Sequence, residues 1–118
     1  MKILVADDSK TMLRIISNTL KRIGEDDIDT ALDGQIALQL FNENQYDLIL
    51  TDWNMPVMNG LELVQNIRKS NKDIPIIMIT TEGGKTEVIK ALRAGVNNYI
   101  VKPFTPQVLK QKLSDIIF

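Results

Sequence analysis

The segment YDLILTDWNMP, residues 46–56, joins a short apolar run to a carboxylate and a proline. Leu48-Ile49-Leu50 offers no polar face, as expected of a strand that is buried on both sides in a parallel sheet. The run ends at Thr51 and Asp52, and Pro56 interrupts regular structure soon afterwards. Burying an ionised carboxylate without a partner costs several kcal/mol. Asp52 is therefore either a turn residue or a group that meets a chemical partner at the end of the strand.

The rest of the chain alternates similar apolar runs with segments of helical spacing. The predicted strands are 3–6, 28–32, 48–51, 74–80 and 99–101. After each strand, apolar residues recur every three or four positions, which predicts a helix. Strands that are apolar throughout indicate a parallel sheet with helices on both faces, and crossovers between parallel strands are right-handed. The predicted fold is a doubly wound α/β sheet of five strands and five helices, in one domain spanning residues 1–118.

Glycine and short polar residues mark several ends of these elements. Asp33-Gly34 and Asn59-Gly60 are predicted turns. Gly95 is predicted to end the fourth helix. Gly83-Gly84 stand just before that helix, and glycine costs about 1 kcal/mol relative to alanine in a helix. The first turn of the fourth helix is therefore expected to be loose.

The composition of the 118-residue chain excludes several classes of function. The net charge is −1 and there is no Lys/Arg block, so we expect no binding to nucleic acid. No apolar run is long enough to span a membrane, and the N-terminal MKILVADD lacks the apolar length of a signal peptide. We therefore expect a cytoplasmic protein without membrane contact. The absence of cysteine and histidine excludes disulfides, thiol chemistry, imidazole general bases and a phosphohistidine within the chain.

Polar side chains stand at the ends of four of the five predicted strands. Asp7-Asp8 follow the first strand, Asp52 the third, Thr80 closes the fourth and Lys102 follows the fifth. Each residue alone has an ordinary explanation as a loop, cap or solvated residue. In doubly wound sheets, however, ligands bind beyond the carboxyl ends of the strands, where these groups would meet. Carboxylates so close together repel one another, and Mg²⁺ relieves that repulsion while keeping some of its waters.

This set of groups favours phosphoryl transfer to a carboxylate. A divalent cation and Lys102 would neutralise phosphoryl oxygens, and Thr80 would donate a hydrogen bond to another. Asp52 would then be the nucleophile that forms an acyl phosphate. Its position at the end of a rigid strand would aim it at the metal and at the incoming phosphorus.

Four segments, VADDS, LTDWNMPVMNG, IMITTEGG and NNYIVKPF, together resemble the receiver domain of bacterial two-component response regulators. The resemblance covers essentially the whole chain and is greatest to the single-domain members that act in chemotaxis. It implies the flavodoxin-like receiver fold with strand order 2-1-3-4-5. It also implies that a histidine kinase phosphorylates Asp52 in a Mg²⁺-dependent reaction.

The resemblance assigns a metal-binding role to four residues. Asp8 and Asp52 match direct ligands of Mg²⁺, and Asp7 matches an acid that holds the metal through water. The backbone carbonyl of Asn54 matches a further ligand. Lys102 matches the lysine that pairs with a phosphoryl oxygen, and the bond to Pro103 matches a cis peptide of the family.

The resemblance also assigns the parts of a switch. Thr80 matches a hydroxyl that moves to the phosphoryl group, and Tyr99 matches an aromatic residue that turns inward with it. Asn54 and Glu82 match variable positions that tune dephosphorylation. The output would appear on the face formed by helix 4, strand 5 and helix 5.

The partners implied by the resemblance are a histidine kinase of the chemotaxis type and the flagellar motor switch. We expect a stand-alone monomer that catalyses only its own phosphorylation and dephosphorylation and is otherwise not an enzyme. A receiver in a non-chemotaxis phosphorelay, or a fragment of a longer regulator, stays open as an alternative.

Other readings of the sequence fit it less well. A flavoprotein binds its phosphate with a Ser/Thr/Gly-rich loop after the first strand. Here that loop begins with Asp7-Asp8, and these acids repel a phosphate. The segment GGKT, residues 83–86, resembles the end of a nucleotide-binding P-loop but lacks the preceding glycine, since residue 79 is Ile79. Small-molecule phosphatases with an aspartyl nucleophile use an Asp-x-Asp pattern that is absent after the first strand. A degenerate receiver that only binds proteins would have lost an acid or the lysine.

Overall fold

The computed structural model describes residues 1–118 and contains five strands that alternate with five helices. The strands are β1 (Lys2–Ala6), β2 (Asp27–Ala31), β3 (Leu48–Thr51), β4 (Ile76–Thr80) and β5 (Asn98–Val101). The helices are α1 (Lys10–Arg22), α2 (Gly34–Glu43), α3 (Gly60–Ser70), α4 (Lys85–Ala94) and α5 (Pro106–Ile117). None of these helices is long and apolar enough to cross a membrane.

All strand pairs are parallel, and the order across the sheet is β2-β1-β3-β4-β5. Buried side chains of α1 and α5 pack against one face of the sheet. Buried side chains of α2, α3 and α4 pack against the other. The three central strands are buried along almost their whole length, which is why they carry no alternation of polar and apolar residues. The predicted doubly wound α/β fold and strand order are confirmed.

Some predicted boundaries were wrong. β4 begins at Ile76 rather than at residue 74, because Pro75 has no N–H to donate to a neighbouring strand. The predicted turn at Asp33 is an N-cap, since its carboxylate accepts a hydrogen bond from the N–H of Ile36. The predicted turn at Asn59 is likewise the N-cap of α3, in a capping box with Glu62. Asx residues favour both turns and N-caps, so the sequence does not separate the two.

The two ends of α4 differ. Its N-cap is Gly84, which provides no side-chain hydrogen bond, and the looseness predicted for the first turn stays a prediction. Its C-cap is Gly95, in the left-handed conformation with φ of 117°, as predicted for a helix end.

Candidate functional site

Three carboxylates meet at the carboxyl edge of the sheet. β1 and β3 are neighbours, and the N–H of Asp52 donates to the carbonyl of Ala6 over 2.9 Å, which sets Asp7 and Asp52 side by side. Asp7, Asp8 and Asp52 each offer an oxygen, and these atoms lie within 4.8 Å of one another. Asp7 is only 1% exposed, whereas Asp8 is exposed. The sequence-predicted acids are therefore brought together, with Asp7 and Asp52 buried and Asp8 open to solvent.

Lys102 reaches the same site from the end of β5. Its ammonium donates to Asp7 Oδ2 over 2.7 Å and to Asp52 Oδ2 over 3.1 Å. Its backbone N–H donates to the carbonyl of Thr80 over 2.8 Å, which extends the pairing of β4 with β5 to the site. The peptide bond between Lys102 and Pro103 is cis, as the resemblance implied.

For both Asp7 and Lys102, burial shifts the pKa in one direction and the bond between the two charged groups shifts it in the other. Removal from water raises the pKa of Asp7 above its usual value, although the hydrogen bond from Lys102 opposes the change. Burial alone would lower the pKa of Lys102, but the hydrogen bond to Asp7 and the charge of Asp52 outweigh it and raise that pKa. Lys102 therefore stays an ammonium beside the carboxylates.

The carboxylate of Asp52 is held in a fixed orientation. Its Oδ1 accepts the N–H of Trp53 over 2.6 Å, while its Oδ2 accepts from Lys102. Beneath it, α3 begins at Gly60, whose N–H donates to the carbonyl of Trp53 over 2.7 Å. A Cβ at position 60 would collide with the carbonyl oxygen of Asp52, so glycine allows α3 to begin directly against the site.

Glu82 contacts Thr80 and Tyr99, to which the resemblance assigns a switch, and also contacts Asn54. Its N–H donates to Thr80 Oγ1 over 3.3 Å, and its carbonyl accepts from the hydroxyl of Tyr99. Its carboxylate accepts from the side-chain amide of Asn54 over 3.0 Å. Thr80 is fully buried, and burial raises the pKa of the Tyr99 phenol to about 12, so the phenol keeps its proton as a donor.

The donor set suits a hard divalent cation. Three carboxylates against the single ammonium of Lys102 leave two negative charges in the cluster, which a divalent ion would neutralise. Asp8 is exposed and forms no hydrogen bond or salt bridge with another residue, so its carboxylate is free to bind a partly hydrated ion. Oxygen-only ligands without histidine or cysteine favour Mg²⁺-type ions over zinc.

Sequence reasoning located the acids, Thr80, Tyr99 and Lys102, but it missed two features of the site. It gave no indication that Lys102 would pair most closely with Asp7. It also gave Glu82 only a role in tuning dephosphorylation, whereas the main chain of Glu82 joins Thr80 to Tyr99. A Thr two residues before Glu82 does suggest a local hydrogen bond. The bond from Tyr99 goes to a carbonyl, which every residue has, and leaves no signal in the sequence.

Comparisons with known proteins give one family and several similar proteins. The family described as response regulator receiver domain matches residues 3–114. A chemotaxis protein CheY homolog of Campylobacter jejuni is 62% identical over 99% of this chain and 92% of its own length. Chemotaxis protein CheY1 of Helicobacter pylori strain J99 is 61% identical over 99% of this chain and 97% of its own.

A solved structure gives the same result for the fold. The chemotaxis response regulator CheY4 of Vibrio cholerae superposes with a TM-score of 0.90 at 36% identity, covering 98% of this chain and 97% of that one. The chain is therefore similar in both sequence and fold to chemotaxis proteins over nearly its full length.

Proposed function

Because the chain belongs to the response regulator receiver domain family and is homologous to chemotaxis regulators, we propose that it transmits a chemotaxis signal when a histidine kinase phosphorylates Asp52. The observation that carries this proposal is the cluster of Asp7, Asp8 and Asp52 against Lys102, with a buried hydroxyl at Thr80. The only reactions that the chain catalyses are the gain and loss of its own phosphoryl group.

In the proposed reaction, a carboxylate oxygen of Asp52 attacks the phosphorus of a phosphohistidine on the kinase. A P–O bond forms on Asp52, the P–N bond breaks, and the histidine leaves as the neutral imidazole after it takes up a proton. Lys102 is 3.1 Å from Asp52 Oδ2 and can follow the charge from the carboxylate to a phosphoryl oxygen. The bond from Trp53 N–H fixes the other carboxylate oxygen, so the nucleophile does not rotate during the attack.

The metal in this proposal is Mg²⁺, held by Asp8 and Asp52 directly, by Asp7 through water and by the backbone carbonyl of Asn54. When bound, it supplies charge neutralisation to the transferred phosphoryl group. The ligand roles of these four residues stay predictions. Asp8 is the best residue at which to test them, since it is exposed and its removal leaves the Asp7–Lys102 pair intact.

We expect millimolar Mg²⁺ to change the fluorescence of Trp53, the single tryptophan of the chain. The backbone N–H of Trp53 donates to the carboxylate of the preceding residue, Asp52, so metal binding at Asp52 should change the surroundings of the neighbouring indole. Asp8→Ala should weaken the response by at least about tenfold in Mg²⁺ concentration, while Asp26→Ala, at an exposed acid before β2, should leave it unchanged. An unchanged wild-type emission spectrum together with a silent calorimetric titration would rule out the metal site.

The proposed output surface is formed by α4, β5 and α5. Four large apolar side chains on these elements are exposed by 38% to 47%: Ile89, Leu92, Val101 and Val108. Such exposed apolar side chains are available for contact with a protein partner. Together with relatives described as chemotaxis proteins, they support the flagellar motor switch as the target. We further propose that the protein acts as a monomer in the cytoplasm.

Phosphotransfer from a kinase tests this function. An autophosphorylated chemotaxis-type kinase from the same cells should transfer its phosphoryl group to this chain within seconds in the presence of Mg²⁺. Other histidine kinases of the organism should transfer it far more slowly, because they lack a matching contact surface. Preferential transfer from a non-chemotaxis kinase would instead place the domain in another phosphorelay.

A further inference from the structure

Arg68 lies at the point where the C-terminal ends of two helices meet. Its Nε and Nη2 donate to the carbonyl of Gly95, the C-cap of α4, over 3.1 and 2.7 Å. Its Nη1 donates over 3.2 Å to the carbonyl of Asn71, the C-cap of α3. The planar guanidinium thus binds both helix ends at once, a geometry that an ammonium cannot reproduce.

The same guanidinium also contacts the start of the sheet. Nη2 of Arg68 donates to Asn97 Oδ1 over 3.0 Å, and that oxygen accepts the N–H of Ile76 over 2.8 Å. The N–H of Asn97 donates in turn to the carbonyl of Ile76 over 2.8 Å. The end of α4 is therefore joined to the first residue of β4 through one asparagine and one arginine.

Arg68 makes these bonds without a carboxylate partner within salt-bridge distance. Its acceptors are carbonyl oxygens, and two of them belong to helix C-termini, where the helix dipole is negative. Desolvation lowers the pKa of Arg68, which is consistent with a half-buried cation, yet an arginine stays charged. Glycine at position 95 suits this contact, because a Cβ there would overlap the Arg68 side chain.

The opposite end of α4 has no comparable attachment. The helix follows Gly83 and Gly84, and no side chain caps it. This end is also next to Glu82, which contacts the switch residues Thr80 and Tyr99. α4 has 10 residues, which corresponds to a length of about 15 Å, and Ala91 is its only buried residue.

We infer that Arg68 anchors the C-terminal end of α4, so that the helix pivots about this end when the domain switches. The signal enters at the free N-terminal end through Glu82, and the displacement decreases along the helix toward Gly95. Arg68 is thus a positioning residue that determines how the output surface moves. The switching step rests on the proposed function, whereas the anchor itself does not.

Amide hydrogen exchange of the intact protein tests both parts. In the wild type, beryllofluoride with Mg²⁺ should change the exchange rate of the Val88 amide, which bonds to Gly84. It should leave the amides of Val96 and Asn97 unchanged. In Arg68→Gln, without any beryllofluoride, the exchange of Val96 and Asn97 should accelerate about tenfold or more, since a charged group and its hydrogen bonds are lost.

Arg93→Gln is the matched control, because Arg93 is an exposed arginine of α4 whose guanidinium makes no hydrogen bond in the structure. Arg68→Lys keeps the charge without the planar guanidinium and should restore only part of the protection.

Equal exchange in Arg68→Gln and Arg93→Gln would overturn the anchor. A wild type in which Val96 responds to beryllofluoride as strongly as Val88 would overturn the pivot, and this measurement needs no variant. A wild type in which beryllofluoride alters no amide at all would overturn the proposed function and the pivot together, while accelerated exchange in free Arg68→Gln would still establish the anchor.

Discussion

Asp52→Asn is expected to abolish phosphorylation of the protein by acetyl phosphate, with the rate falling by more than about a hundredfold because an amide oxygen is a poor nucleophile. The substitution keeps the size and shape of a buried side chain. The amide oxygen can still accept the N–H of Trp53, so the local backbone should be retained. Intact-mass spectrometry before and after incubation with acetyl phosphate and Mg²⁺ measures the loss directly.

The controls for this experiment separate chemistry from folding. Asp26→Asn changes an exposed acid outside the cluster and should be phosphorylated at the wild-type rate. Circular dichroism of Asp52→Asn should match that of the wild type. The phosphate on the wild type should be labile in base, as an acyl phosphate is. If peptide mapping instead places a stable phosphate on a serine or threonine, the proposed mechanism is wrong.

The fold and most of the site could be predicted because both depend on side chains. Strands that are buried on two faces need continuous apolar runs, and the runs in β3 and β4 are easily recognised. Parallel strands end at one edge, so Asp7, Asp52 and Lys102, each just beyond a run, had to meet there. A single-residue error in a strand boundary does not change this conclusion, since the polar group still follows the run.

The contacts made by backbone atoms could not be predicted in the same way. Arg68 reads as an ordinary basic residue in the last turn of α3, yet it binds the C-caps of two helices through carbonyl oxygens. The resemblance assigned Glu82 only a role in tuning dephosphorylation, yet its main chain links Thr80 to Tyr99. Because every residue has a carbonyl and all but proline have an N–H, such bonds depend on the three-dimensional position of the chain and not on residue type.

The second large expected effect concerns Thr80, which is connected through Glu82 to Tyr99 of β5 in the proposed output surface. The Thr80 side chain is fully buried at the end of β4, and its oxygen accepts the N–H of Glu82 over 3.3 Å. Its hydroxyl proton has no acceptor among the protein groups of the site, so it is available to a phosphoryl oxygen. Movement of Thr80 toward that oxygen would break the bond to Glu82 and change the position of the carbonyl that Tyr99 contacts.

We therefore expect Thr80→Val to separate phosphorylation from output. Beryllofluoride with Mg²⁺ should bind the variant at Asp52, since valine keeps the shape of threonine and Thr80 is not a metal ligand in the proposed site. In the wild type, beryllofluoride should strengthen binding of a peptide from the flagellar motor switch by about 1–3 kcal/mol, a typical allosteric coupling. Thr80→Val should lose most of this gain, whereas Thr81→Val, at the exposed neighbouring threonine, should retain it. Fluorescence anisotropy of a labelled peptide, measured with and without beryllofluoride, gives both affinities.

A Thr80→Val variant that keeps the full gain would mean that the signal reaches α4 without this hydroxyl. A wild type with no gain for any candidate partner would mean that the domain accepts phosphate without acting as a switch.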